Sequence, residues 1–425
     1  MMFRERMSDL LTGAAPWKRS AVFALAVSAS LPVAIHAQGR EGAVTPRSTI
    51  HHDAERPDYA ALLGPSSARP VPLPAPPIGP PPSSVRGIYL NAWVFGSKRF
   101  YDLIRLADET EVNAFVIDVK DASGYVTYRS SVPVAVEIGA NGEVRAPDAR
   151  SRLERLRAHG IHPIARIVVA RDPMLAQGKP PWAIMDREGG FWRDGLGQPW
   201  VDTYHDSIWI YAADLAEEAV RMGFAEIQFD YVRFPDEPPK RLARAVYNAQ
   251  RDGETQRESL GRHLRYMKGR IAALGVPFTI DVFGLTTSTA GGLGIGQHWE
   301  DLVQLADVVL PMVYPSHYRR GSYGIAHPNS QPYSVVRKAL ADGIARSADV
   351  PDAGRIRPYL QAFTLGRPRY TAAEVRAQIA AVEDLGLNEW VLWNARGVYP
   401  SGAFRPVRQT ARGANGAAGA TSVSP

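Results

Sequence analysis

The sequence predicts an α/β protein whose main body is a single (β/α)8 TIM barrel, and three observations predict it. Between Val85 and about Val407, eight short runs rich in β-branched and aromatic residues alternate with amphipathic helical stretches. Eight repeats in about 320 residues fit a closed barrel better than an open doubly wound sheet, which usually has fewer strands. No G-x-G-x-x-G or Walker sequence follows any of the runs, so the phosphate-binding turn of the open nucleotide-binding sheets is missing.

In order, the strands are RGIYLNAW (Arg86 to Trp93), NAFVIDVKD (Asn113 to Asp121), IHPIARIVV (Ile161 to Val169) and AEIQFDYVRFP (Ala225 to Pro235). They continue with PFTIDVFG (Pro277 to Gly284), VVLPMVYP (Val308 to Pro315), RPYLQAF (Arg357 to Phe363) and EWVLWNA (Glu389 to Ala395). The helices between them carry start and stop signals. Thr371 and Glu374 form a capping box, Asp206 is placed to cap the helix running to Met222, and Gly160, Gly223, Gly275 and Gly386 stand where helices should end. After the eighth strand, YPSGAFRPVRQ offers no amphipathic helix, so a short or irregular element is expected to close the barrel.

The flanks read differently. Arg4, Arg6, Lys18 and Arg19 precede the apolar, small-residue run AVFALAVSASLPVAIHA from Ala21 to Ala37, the order of a secretory signal. An uncleaved membrane anchor is the alternative for residues 1–37, though Pro32 and the short apolar run weaken a spanning helix of about 20 residues. Residues 38–84 lose periodicity and end in PVPLPAPPIGPPPSS, a composition that favours extended polyproline and reads as a semi-rigid, disordered linker. Residues 408–425, rich in Gly, Ala and Ser, read as a disordered tail. An exported, periplasmic or extracellular barrel over 85–407 follows, with membrane association through the N-terminus as the alternative.

Composition narrows the chemistry. Among 425 residues, 45% are hydrophobic and 22% charged, and the net charge is +6 with basic and acidic residues interspersed, which argues against nucleic acid as a partner. There are no cysteines, which excludes disulfides, thiol catalysis and cysteine-ligated zinc. Of ten histidines only His317 falls at a strand end, and no H-x-H or H-x-x-E-H pattern occurs, so no metal or cofactor is expected.

In this fold the active site lies at the C-terminal ends of the strands. Polar residues collect there: Asp118, Lys120 and Asp121 on the second strand, Asp230 and Arg233 on the fourth, Asp281 on the fifth, Tyr314 and His317 on the sixth, Gln361 on the seventh and Asn394 on the eighth. Side chains alternate faces along a strand, so Glu226, Gln228 and Asp230 share the inner face, Asp118 and Lys120 point together, and Thr279 and Asp281 do the same. Asp118, Asp230 and Asp281 can thus converge on one mouth. Paired carboxylates suit glycosidic cleavage, which needs a carboxylic acid to protonate the leaving oxygen and a carboxylate to attack or to activate water. Asp230 is the candidate nucleophile or ion-pair partner of the oxocarbenium-like centre, with Arg233 orienting it. Asp281 is the candidate acid/base, and Asp118 with Lys120 would position sugar hydroxyls.

Aromatics give a second signal. Trp182, Trp192, Trp200, Tyr204 and Trp209 follow the third strand, and Trp93, Tyr125, Tyr231, Tyr314, Tyr318 and Trp393 lie at or beyond other strand ends. Flat rings pack against the apolar faces of sugars, so several of these are expected to line a saccharide groove, with Trp209 in the core.

At FDYVRFPDE, taken with RGIYLNAW, AFVIDVKDASGYVTY, PMVYPSHY and WNARGVY, the sequence resembles the glycoside hydrolase-like family known as domain of unknown function 4015. The resemblance spans about Val85 to Tyr399. It implies a TIM-barrel relative of the glycosidase clans acting on a cell-envelope or extracellular polysaccharide, with Asp230 matching the fourth-strand aspartate that is the nucleophile in many of them. Their acid/base is commonly a fifth-strand Glu or a sixth-strand Asp. Here those strands offer Asp281 and Tyr314. A non-catalytic polysaccharide-binding barrel is the alternative, and would need the aromatics but not the paired carboxylates.

Overall fold

A computed structural model of the chain describes residues 81–407. The expected export segment, nearly all of the linker and the tail lie outside the described residues.

The strands are β1 (Arg86–Leu90), β2 (Ala114–Lys120), β3 (His162–Val168), β4 (Glu226–Asp230), β5 (Phe278–Phe283), β6 (Val308–Met312), β7 (Tyr359–Gln361) and β8 (Trp390–Trp393). All neighbouring pairs are parallel, and β8 returns to β1 through Arg86↔Trp390 and Ile88↔Leu392, which closes the barrel. Strands covered on both faces need no polar alternation, and β2 and β3 are buried along their whole length. The seventh position is split. Arg355–Ile356 pairs with the start of β6, Pro358 interrupts, and β7 then pairs with β8 and touches β6 at Tyr359↔Met312.

The intervening helices are α1 (Arg99–Glu109), α2 (Ala149–Ala158), α3 (Asp206–Met222), α4 (Gln256–Ala272), α5 (Trp299–Leu305), α6 (Pro332–Ser347) and α7 (Ala372–Glu383). Among the described residues after β8 there is a 3₁₀ turn at Ser401–Ala403 and no α-helix, as expected. The Thr371–Glu374 capping box forms, and Gly160, Gly223, Gly275 and Gly386 all take positive φ just past helix ends. One cap differs. His205, not Asp206, caps α3 through its ring nitrogen, because Asp206 is drawn to Arg251, Arg262 and His263 across from α3.

The main core lies between barrel and helices and holds Trp209, Trp299 and Trp390. A smaller one fills the barrel, with Val116, Ile164, Leu310, Tyr359 and Val391. The long β3–α3 connection builds its own small core from Ala170, Ile184, Trp192 and Trp200, beside a two-stranded ribbon of Met185–Asp186 and Ala245–Val246. Trp192 and Trp200 are therefore buried structural residues, because the long connection needs a core of its own to hold shape.

Charged layers cap the barrel interior at both ends. At the N-terminal end, Arg357 pairs with Glu226 and with Glu389 (3.1 Å), and His162 lies 3.2 Å from Glu226. The other layer forms the candidate site.

Candidate active site

The site is built by register. In the parallel ladder Asp118 stands beside Arg166, and Val168 beside Asp230, so β2, β3 and β4 bring their C-terminal halves to one level. From β3, Arg166 reaches across the mouth. Its Nη1 donates to Asp118 Oδ1 at 2.6 Å, its Nε and Nη2 both donate to Asp230 Oδ2, and its Nε lies 3.6 Å from Asp281 Oδ2. One guanidinium thus serves three buried carboxylates.

Each carboxylate is held differently. Asp118 is saturated: the Tyr89 hydroxyl donates to its Oδ2, and Arg166 takes the other oxygen. Asp230 Oδ1 accepts the amide of Tyr231, a non-glycine residue at φ 54°, in the left-handed region that bulky side chains rarely adopt. That strained turn folds the chain back onto its own carboxylate. Asp281 Oδ2 accepts from Gln228 Nε2 at 2.9 Å, while its Oδ1 is buried without a hydrogen-bond partner among the described residues. Gln228 Nε2 also donates to the Tyr359 hydroxyl. The Tyr314 hydroxyl, in the field of Asp281 and Asp230, is likewise buried and unpartnered.

The electrostatics follow from burial and a shortage of positive charge. Burial pushes Asp281 well above the usual carboxylate range, and the neighbouring Asp230 charge adds to it. Burial also lifts Asp118 to about 6, against the pull of Arg166. Burial and the neighbouring charge thus favour the protonated form of Asp281, beside an Asp230 clamped by an arginine.

The other expected residues divide. Trp393 stacks on Tyr89 at 3.7 Å, and Arg166 lies 5.0 Å from its ring, so it is part of the cluster. His317 packs against Tyr314 and Phe363, and burial lowers it to about 4, leaving it neutral. Trp93, 45% exposed, and Tyr125 both lie against Arg145 at the rim, at 5.0 and 5.3 Å. Tyr231 is half-buried next to Asp230.

Lys120 does not join Asp118. A bulge between them breaks the alternation, and Lys120 turns to Asp172 at 2.6 Å and the ring of Tyr211 on α3. Arg233 does not hold Asp230, which Arg166 already occupies. Gln361 and Asn394 spend their amides on backbone groups of neighbouring loops, Ser316 and Phe363 for the first, Ala362, Val398 and Arg396 for the second. Arg166 itself is absent from the sequence-based candidates. Its signal is a lone charge in the apolar run IHPIARIVV, on the face shared with Ile164 that fills the barrel.

Residues 87–399 match the family model described as "Putative glycosyl hydrolase domain", domain of unknown function 4015. The chain belongs to this family. It is therefore a glycosyl hydrolase domain, as the motifs around FDYVRFPDE imply. Among solved structures, the PgaB (BpsB) glycoside hydrolase domain from Bordetella bronchiseptica matches over 73% of this chain and 94% of its own, with TM-score 0.54 and 14% identity, a likeness of fold. A hypothetical protein from Ruminiclostridium thermocellum ATCC 27405 is 37% identical over 43% of this chain and 92% of its own, with TM-score 0.40. No curated protein matches the chain.

Proposed function

We propose that this glycoside hydrolase cleaves a cell-envelope or extracellular polysaccharide with a pair of carboxylates, Asp281 as general acid and Asp230 as the carboxylate facing the anomeric carbon. The observation that carries this reading is the buried, unpartnered Oδ1 of Asp281 beside an Asp230 clamped by Arg166. A carboxyl kept protonated by burial and a like charge is the form needed to protonate a departing glycosidic oxygen. Asp230 stabilises the positive charge that builds at the ring as that bond breaks, by attack or by activating water. Arg166 and Asp118 are positioning residues, since Asp118 has both oxygens engaged. The rim aromatics Trp93 and Tyr125 support binding of further sugar rings.

We also infer export, from the order of charged and apolar residues at the N-terminus. Among the described residues no helix is long and apolar enough to cross a membrane. The division into export segment (1–37), linker (38–84), barrel (85–407) and tail (408–425) belongs to the same proposal.

The test is release of new reducing ends from a panel of bacterial envelope and exopolysaccharides by the full chain and its Asp230→Asn variant. Release by the wild type alone is expected. Equal binding of one polysaccharide by both, with release by neither, would replace the hydrolase with the non-catalytic binding barrel.

A further inference from the structure

Next to the carboxylate cluster lies a cation that hydrolysis does not use. Arg233 is 7% exposed, and its guanidinium carbon sits 4.8 Å from the ring of Tyr231, 5.2 Å from Trp200 and 4.6 Å from Phe283. Its side chain donates from Nη1 to the Phe234 carbonyl at 2.9 Å, and among the described residues no carboxylate lies within ion-pair distance of it. Asp230 acts on it only at longer range, as does Asp236, because Asp230 Oδ2 is turned to Arg166 and its Oδ1 to the Tyr231 amide.

Arg171 provides the contrast. It too lies against Tyr231, at 5.9 Å, but Asp194 neutralises it at 3.2 Å, and the same Asp194 oxygen accepts from Trp200 Nε1. Of these two arginines, Arg171 makes an ion pair and Arg233, among the described residues, makes none. Burial pushes Arg233 below the usual arginine range, and the charge of Arg171 adds to this, while Tyr231, Asp236 and Asp230 pull the other way without outweighing burial. A desolvated cation without a counter-ion is a standing cost that an incoming anion removes. The planar fork of arginine suits carboxylate and phosphate alike. Tyr231 and Phe283 beside it are themselves only half-buried, so this wall of the mouth is not sealed from solvent.

We propose that Arg233 is a specificity residue that recognises an acidic group, a carboxylate or a phosphate, on the sugar bound beside Asp230, so that the substrate is an anionic glycan. This rests on Asp230 being the reacting carboxylate.

The test uses the full chain in the Asp230→Asn background, with and without Arg233→Gln, on an array of acidic and neutral polysaccharides. Acidic glycans are expected to be retained, less so as salt is raised, and Arg233→Gln weakens them about tenfold or more, the scale of one charge-assisted contact. Arg233→Lys keeps the charge without the fork and retains the preference for acidic glycans. It also covers the case in which the glutamine variant melts early. Carboxyl reduction abolishes retention if the group is a uronic carboxylate, and phosphatase treatment abolishes it if the group is a phosphate monoester. Retention of neutral glycans in preference, no retention of any acidic glycan, or retention unchanged by Arg233→Gln overturns the inference. Asp230-dependent cleavage of neutral glycans would sink it and leave the hydrolase reading standing. Arg233-dependent binding of acidic glycans without cleavage by the wild type would do the reverse.

Discussion

The two ends of the barrel interior are built from the same parts to different effect. At the N-terminal end Arg357 answers two carboxylates, Glu226 and Glu389, and His162 adds a further contact to Glu226. At the C-terminal end Arg166 faces three, Asp118, Asp230 and Asp281. At the first end Arg357 heads the influences that draw Glu226 down to about 2 against burial. At the second, burial and mutual repulsion win, Asp281 is driven up, and one of its oxygens has no partner. The number of carboxylates per cation, more than burial itself, separates a layer that stabilises the barrel from one that holds a proton ready for transfer.

The largest test of this contrast is activity. Asp230→Asn and Asp281→Asn should each lower kcat by about 10²–10⁴-fold, the range for a positioned acid or base, while melting as well as the wild type or better. Glu226→Gln should leave the activity of the folded fraction unchanged. A catalytic loss at Glu226 equal to that at Asp281 would erase the distinction.

Stability comes next. Arg357→Met leaves buried Glu226 with His162 alone and Glu389 with the exposed Arg355 alone, and should cost about 3 kcal/mol in denaturant unfolding, with kcat preserved in the molecules that remain folded. If it unfolds as easily as the wild type, the N-terminal layer is not what holds the barrel.

The pH dependence of stability should have opposite signs at the two ends. Glu226 is lowered from 4.5 to about 2 in the folded chain, so its contribution is complete above about pH 4.5 and is lost as the pH falls towards 2. Asp118 is raised from 3.8 to about 6, so the unfolded chain ionises first, and stability declines as the pH rises from about 4 to 6. Each span corresponds to about 3 kcal/mol at most. Melting curves of Glu226→Gln should lose the acid-side fall, and those of Asp118→Asn the decline between pH 4 and 6. Matching pH profiles for the two variants would contradict the comparison. The smallest effect lies outside both layers: Thr371→Ala removes a helix cap on α7 and should cost about 1 kcal/mol with activity untouched.

Much of the fold is legible in the sequence because its signals are local. Strand runs such as AFVIDVK, the capping box at Thr371 and the glycines after helices act within a few residues of themselves, and each stands where expected. Asp118, Asp230 and Asp281 were reachable in the same way, since parity along a regular strand places them inward. Lys120 was not, because a bulge of one residue reverses parity and leaves no mark in composition. Trp192 and Trp200 look like sugar platforms in a loop, and only the packing of that loop on itself makes them core.

By itself, then, the sequence determined the barrel, its order of strands and helices, the acidic character of its mouth and the family to which it belongs. The tertiary structure alone decided which charges meet. Arg166 lies 48 residues from Asp118 and 64 from Asp230 along the chain, and joins them only because parallel register sets their strands side by side. It equally decided that Arg233 lies among rings with no ion pair among the described residues, while Arg171 pairs with Asp194. Periodicity is a property of neighbours in sequence. Charge compensation is a property of neighbours in space, and in a barrel those are set by register between strands that no local pattern encodes.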